Sequence, residues 1–406
     1  MLKLRLLIFI SSVATVLGLT TAIFMYAQGY RVNPETLEVS PNGLLVIKSY
    51  PDSSQVYING ELKTATNATI PLPSGTYDVS VQKEGYHSWS KRLTIEKEVV
   101  TESTAHLFKI APSLSAITFS GVAGPLPSID NSKLVYAVPT TTTNNNNSGL
   151  WILESVNLPL GFSRDPKRIT DADTLNAQWL WSPDSREIML TTPKGVFLLD
   201  TGAFTPQSKL VNVTTRKIQI LARWQEEKEK RLNAQMKKIP SEVQDILKRK
   251  ASQVVFSPDE DMVLYSASAS ASIANNLIPQ LPGSSSQKED REVKNGNTYV
   301  YDIIEDRNFL ISESPVHLHS WSDYSLNPKA VAKSALSWYF STRHVILAEE
   351  GKITIMDYDG TNSQVIYSGV YVAPYAFPTS SLDRLLILTS LGANSLETNL
   401  YSLNIK

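Results

Sequence analysis

The chain has 406 residues, 42% of them apolar, with 38 Lys and Arg against 39 Asp and Glu. That length allows two or three domains with sizeable cores, and a formal charge of −1 gives no overall pull toward nucleic acid. There is no cysteine, which excludes disulfides, a cysteine nucleophile and thiolate-held zinc or iron–sulfur sites.

Residues 6–25, LLIFISSVATVLGLTTAIFM, form an apolar run without a charge. A helix of about 20 such residues crosses a bilayer's hydrocarbon core. Lys3 and Arg5 precede the run, and positive flanks stay on the cytoplasmic side. Tyr26 and Tyr30 suit the far interface. The competing reading is a cleaved signal peptide, which has an apolar region of about 7–15 residues and a small-x-small cleavage site. Here the run is longer, and the bulky Met25 stands where a small residue is needed. The expectation is a single-pass anchor over residues 1–27, N-terminus cytoplasmic. A stalk follows over 28–42, and the bulk of the chain lies outside the cytoplasm.

Residues 43–110 read as short strands between turns. Residues 44–49 and 55–58 alternate apolar and polar side chains, the period of a half-buried strand. Asn59-Gly60 marks a type I′ hairpin, because both central positions need positive φ. Pro73-Ser74-Gly75 and Lys83-Glu84-Gly85-Tyr86 mark two further turns. Between them Tyr77, Val79 and Val81 fall on one face. The segment resembles a PEGA domain, through Pro51-Asp52-Ser53-Ser54, Val56-x-Ile58-Asn59-Gly60, Leu72-Pro73-Ser74-Gly75-x-Tyr77 and Gly85-Tyr86. It departs from that family in its Pro-Asp-Ser-Ser tetrapeptide and in Thr64-Ala65-Thr66-Asn67, where the family carries Gly-x-Thr-Pro. The resemblance implies a small extracytoplasmic β-sandwich and no catalytic residue. Tyr86 and Trp89 read as packing residues, with an aromatic platform for a sugar ring as the alternative.

Residues 113–406 repeat one pattern. Trp181-Ser182-Pro183-Asp184 leads into Ile188-Met189-Leu190 and a strand ending at Asp200. Phe256-Ser257-Pro258-Asp259 leads into Val263-Leu264-Tyr265 and a strand ending at Asp302. Trp338-Tyr339-Phe340-Ser341 leads into Val345-Ile346-Leu347 and a strand ending at Asp357. Weaker copies begin at Ser128-Ile129-Asp130 and Phe377-Pro378. A unit of this kind cannot bury its faces alone, so repetition points to a β-propeller of about five or six blades, with an unclosed all-β array as the alternative. The copies resemble the WD40-like repeats of Tol-system and prolyl-oligopeptidase-type propellers. The aromatics Trp181, Phe256, Trp338 and Phe377 share one blade position and read as core. Trp224 and Trp321 lie outside it and read as freer.

Three insertions interrupt the repeats. Residues 140–148 are Thr, Asn and Ser, and residues 266–290 are rich in Ser, Ala and Gly. Both compositions read as solvated loops. Residues 216–250 read as a helical hairpin, with Ile218, Leu221, Leu232 and Met236 near one stripe and Pro240 stopping the first helix. Ser241-Glu242-Val243-Gln244 reads as a capping box, followed by an apolar face of Val243, Ile246 and Leu247. This segment holds eleven Lys and Arg against five Asp and Glu, a net +6, which leaves −7 for the remainder. It reads as a solvated hairpin on the propeller rim, or as a docking arm for an acidic partner or anionic surface.

The sequence has no G-x-S-x-G elbow, H-E-x-x-H helix or P-loop. His317-x-His319 supplies two imidazoles on one strand face and no nearby third ligand. Asp357-x-Asp359-Gly360 opens like a calcium loop, but Thr361, Asn362, Ser363 and Gln364 follow, so it reads as a hairpin turn. No catalytic, metal or cofactor-binding residue is expected, and no cofactor. The expected function is a membrane-anchored, extracytoplasmic binding or scaffold protein of the cell envelope. It would bind an envelope protein or cell-wall glycan through the sandwich and propeller. An envelope enzyme, such as a glycan hydrolase or lyase, and a purely structural surface protein are the alternatives.

Overall fold

The computed structural model describes residues 2–27, 30–32, 39–140, 147–155, 165–279, 285, 287–314, 316–318, 334–391 and 397–406. The chain is mainly β and divides into two compact units, Met1–Leu107 with Gln280–Gln287 and Phe108–Pro279 with Lys288–Lys406.

The first unit starts with helix α1, Leu2–Ala27. Its segment Leu7–Tyr26 has a mean hydropathy of 2.1 and none of it is buried, so it is long and apolar enough to cross a membrane. Ser12, Thr15, Thr20 and Thr21 donate their hydroxyls to carbonyls three or four residues back. That satisfies the polar groups inside the helix itself.

The sandwich follows. Gly43–Tyr50 pairs antiparallel with Ala68–Leu72 and parallel with Val100–His106. The second sheet orders Glu61–Ala65, Gln55–Ile58, Gly75–Gln82 and Trp89–Ile95. Asn59 and Gly60 carry φ of 51° and 84°, the backbone a type I′ hairpin demands. The alternation buries Leu45, Ile47, Val56, Ile58, Val79 and Val81 between the sheets, with Trp89 and Ile95.

The second unit contains five antiparallel sheets in propeller order. Blade 1 comprises Ala123–Pro127, Lys133–Val138, Gly149–Glu154 and Lys167–Thr170. Blade 2 comprises Gln178–Trp181, Glu187–Thr192 and Gly195–Asp200, and a bridge from Phe197 to Asn212 stands where a fourth strand would pair. Blade 3 comprises Ala251–Phe256, Met262–Ala267, Thr298–Asp302 and Arg307–Ser312. Blade 4 comprises Ala335–Trp338, His344–Glu349, Lys352–Asp357 and Gln364–Ser368, with His317–Leu318 added in parallel at its first strand. Blade 5 comprises Ala376–Pro378, Arg384–Thr389 and Asn399–Asn404, and its last strand is Ser113–Ala116 from the start of the unit.

Each blade covers its neighbour. Leu126, Val135 and Ile152 of blade 1 pack on Trp181, Ile188 and Leu190 of blade 2. On its other face, Leu134, Tyr136 and Val138 meet Phe377, Leu386 and Leu388 of blade 5. Blade 5 meets blade 4 through Leu385, Ile387 and Leu403 against Ile346, Ile353 and Ile355. Blade 4 meets blade 3 through Trp338, Val345 and Met356 against Met262, Leu264 and Val300.

The repeated aromatic locks these seams. The Trp181 indole donates to the Leu126 carbonyl at 3.0 Å, and the Trp338 indole donates to the Val255 carbonyl at 3.0 Å. Trp179 donates likewise to Gly124 at 3.1 Å. Gly124 has φ +55°, and a Cβ there would stand 2.6 Å from the Trp179 ring, so only glycine allows this approach.

The remaining interval, between blades 2 and 3, is filled by helices α2, Lys217–Met236, and α3, Ser241–Lys250. Blade 2 buries Met189 and Val196 under Trp224, with Ile220 and Leu221 beside it. Blade 3 buries Val263, Tyr265 and Tyr301 under Met236, Val243, Ile246 and Leu247. The helices therefore cover one face of blade 2 and one face of blade 3 and are not a solvated appendage on the rim.

Three expectations fail here. Of the expected stripe Leu221 packs on blade 2 and Met236 is 5% exposed, but Ile218 is 82% and Leu232 42% exposed, and Ile220 and Trp224 take their places. Trp224 is 3% exposed and belongs to the core. The capping box does not form: α3 starts at Ser241 behind Pro240, no side chain caps it, and Gln244 donates its amide to the Ile239 carbonyl.

The 266–290 segment is also more ordered than its composition suggests. Ala271–Ser272 pairs with Glu292–Val293, and Ile273 and Val293 are buried against blade 3. Arg291 fastens it. Its Nε donates to Glu289 at 3.0 Å, its Nη1 to the Ala274 carbonyl at 2.5 Å, and Nη1 lies 3.4 Å from Asp306. The Asp306 carboxylate also accepts from Tyr301 at 2.9 Å and from the Leu277 amide at 2.7 Å. Residues 280–284 and 286, with 141–146 of the Thr/Asn stretch, lie outside the described residues.

Candidate functional site

The Ser-Pro-Asp turns are structural. Ser182 donates to Asp184 at 2.6 Å, Asp184 accepts the Arg186 amide at 3.2 Å, and Ser182 Oγ accepts the Glu187 amide at 2.9 Å. Ser128 with Asp130 and Ser257 with Asp259 repeat the motif, each with a 2.6 Å hydroxyl–carboxylate bond. The residue after each Asp has positive φ, in Asn131, Ser185 and Glu260. Every carboxylate is thus spent on its own turn.

Blade 4 varies this turn and assembles a group the sequence motifs did not reveal. Ser341 stands where the other turns carry Asp. Its Oγ shares a 2.6 Å hydrogen bond with His344 Nδ1, and His344 Nε2 lies 3.3 Å from Asp357 Oδ1. Ser, His and Asp are the residue types of an acyl-transfer triad. His344 is only 2% exposed, however, and the rings of Phe108 and Tyr339 stand edge-on to it at 5.3 and 6.3 Å. Asp357 accepts in addition from Asn362 at 3.0 Å. Ser341 is held on Nδ1 and Asp357 on Nε2, the reverse of the triad arrangement, and the group ties the turn to the adjacent strand. Placing the fourth repeat on the other three would have found it, since His344 and Asp357 face each other across the strands.

Asp357 and Asp359 lie in a hairpin turn whose Gly360 has φ +79°. Asp359 accepts the Thr361 amide and hydroxyl at 3.1 and 2.6 Å. His317 is exposed, with its Nδ1 3.2 Å from the Gln253 amide nitrogen. His319 and Trp321 lie outside the described residues. Among the described residues no three His, Asp or Glu stand close enough to hold a metal. In the sandwich, Trp89 is 2% exposed and Tyr86 packs on the same core. Trp89 therefore offers no platform to a sugar ring.

One carboxylate is under electrostatic tension. Asp302 is 1% exposed, and burial pushes its carboxyl up to about 6, with Glu305 adding to the shift. The Ile304 and Glu305 amides, both at 2.9 Å, and Arg343 of blade 4 at 3.9 Å act against it. The folded protein therefore keeps a proton that the unfolded chain has lost between pH 4 and 6, so stability falls as pH rises through that window. Asp302→Asn keeps the amide acceptor and removes the charge. We expect a gain on the order of 2 kcal/mol at pH 7, and a flatter stability profile between pH 4 and 6 in denaturant titrations.

What faces outward is apolar. Phe119 is 81%, Val370 82% and Leu391 54% exposed. They stand at one end of blade 5. Val122, after Phe119, donates its amide to Thr398 at 2.8 Å. Thr389, two residues before Leu391, donates its hydroxyl to the Val370 carbonyl at 2.7 Å. Three loops thus converge on the same end of one sheet, each carrying a large apolar side chain.

Residues 42–110 match the PEGA domain. No curated protein matches the chain. Among solved structures it is similar to TolB from Acinetobacter baumannii, at 11% identity over 81% of this chain and 59% of that one, TM-score 0.18. It is similar to an auxiliary nutrient binding protein from Bacteroides thetaiotaomicron, at 9% identity over 87% and 74%, TM-score 0.20. An acylaminoacyl peptidase from Pyrococcus horikoshii matches at 11% over 71% of this chain and 39% of that one, TM-score 0.21. Likeness at this level carries no weight for activity; the fold rests on strand order and on the packing between sheets.

Proposed function

We propose that the protein is a membrane-anchored, extracytoplasmic binding or scaffold protein of the cell envelope. In this reading α1 spans the bilayer, the PEGA domain follows it outside the cytoplasm, and the propeller recruits a partner protein. The observation that carries the reading is the apolar end of blade 5. Phe119, Val370 and Leu391 gain nothing from solvent, and exposed apolar clusters mark interaction sites. The polar constellations described above are consumed by turns and seams, which disfavours an envelope hydrolase.

The test is affinity capture by the full chain in detergent, from envelope extract, with and without Phe119→Asp and Val370→Asp. Both positions are exposed, so the fold should tolerate the changes. A specific protein should be retained by the parent chain, and its affinity should fall at least tenfold in the double variant, the order expected for central apolar contacts. Equal retention by both chains would move the binding site elsewhere. Retention of glycan alone would favour the cell-wall reading.

A further inference from the structure

Four cations recur every seventh residue along α2: Arg216, Arg223, Lys230 and Lys237. All four are exposed, and they flank or lie within Lys217–Met236. Seven residues advance a helix by about 10 Å and turn it back by about 20°, so the four form a gently slanting row. Trp224, Ile220 and Leu221 pack the adjoining face of α2 on blade 2, and the row runs along the exposed border of that face.

The row's side-chain neighbours three and four positions away are Gln219, Ile220, Glu226, Glu227, Asn233 and Ala234. Ile220 is the one large apolar residue among them, and it packs on blade 2. That disfavours a partner helix, which needs a buried seam, and favours a polyanion held by ion pairing. Lys230 pairs with Glu226 at 2.7 Å, and Arg223 approaches Glu187 at 3.9 Å. Exposed pairs of this kind contribute little, so a phosphate can replace the carboxylates at small cost. The net +6 over 216–250, against −7 elsewhere, concentrates the attraction on this segment.

We propose that this row docks on anionic phospholipid headgroups. The proposal rests on the anchor reading of α1. Four surface cations give weak attraction alone, and a tether to the same bilayer raises the effective concentration of headgroups. Free phosphate polymers share the chemistry but lack that tether.

The chain has no cysteine, so Gln219→Cys, at an exposed position beside the row, gives a unique nitroxide site. The labelled full chain is placed in nanodiscs of phosphatidylcholine, with or without phosphatidylglycerol, containing nickel-chelating lipid. Nickel should relax the label in the anionic discs only, and high salt should abolish the effect. Each reversal in the series Arg216→Glu, Arg223→Glu, Lys230→Glu and Lys237→Glu changes the charge by two and should weaken association about thirtyfold. Circular dichroism checks that the variants remain folded. Equal relaxation in both discs, or no response to the four reversals, overturns the proposal. So does equal affinity for soluble polyphosphate without lipid, or protection of the label that requires an added envelope protein. Alkaline extraction reads the anchor separately. If it releases the chain, the anchor reading fails, while the label still reports on the row at saturating lipid.

Discussion

Asp306→Ala should cost about 3–5 kcal/mol, the scale for breaking a buried ionic network and leaving several donors unpaired. The Asp306 side chain is 1% and the Arg291 side chain 10% exposed. Removing the carboxylate leaves Arg291 with Glu289 as its ion-pair partner and releases the Tyr301 hydroxyl and the Leu277 and Ile278 amides together. These groups hold residues 271–278 and 290–293 on blade 3, so the loss should be local first. Limited proteolysis should cut these stretches before the rest of the second unit unfolds, and denaturant titration should report the larger loss. A cost below about 1 kcal/mol would mean that solvent already reaches the carboxylate.

Trp224→Ala should be comparable, at about 3–5 kcal/mol for truncating a buried tryptophan. Trp224 is what α2 presents to Met189 and Val196 of blade 2. Its loss should detach the helix from that sheet and raise amide exchange along 217–236. Ile218→Ala, at a residue 82% exposed, should stay within about 0.5 kcal/mol. The opposite ranking would return the buried face of α2 to the Ile218 and Leu232 side.

That pair of variants marks where the sequence was legible and where it was not. Strand alternation and turn chemistry are local, and they placed Val79, Val81, Asn59-Gly60 and the Ser-Pro-Asp turns correctly. The repeated aromatic was readable because the same packing recurs in several blades. The helical insertion has no repeat to compare with. Choosing Ile218 and Leu232 over Ile220 and Trp224 required knowing that a sheet would lie against α2. Pro240 took the N-cap position that Ser241 was expected to hold, as the proline ring already fixes φ for a helix start. The order within 266–290 depends on a single arginine reaching Asp306 from 15 positions away, which composition cannot express. The Ser341–His344–Asp357 group is cross-strand, invisible to any linear motif.

The pairing of Ser113–Ala116 with Asn399–Asn404 sets the order of folding. Blades 1 to 4 can each complete from strands made consecutively, but blade 5 lacks its edge until residue 404 has emerged. Joining Ser113 to Asn404, roughly 290 residues apart, carries a loop-closure entropy of about 5 kcal/mol. Nothing repays that until the rest of the ring has formed. A chain synthesised from its N-terminus must therefore keep Ser113–Ala116 without this partner until Asn399–Asn404 has been made. During that interval the strand is an open edge, available to the wrong partner.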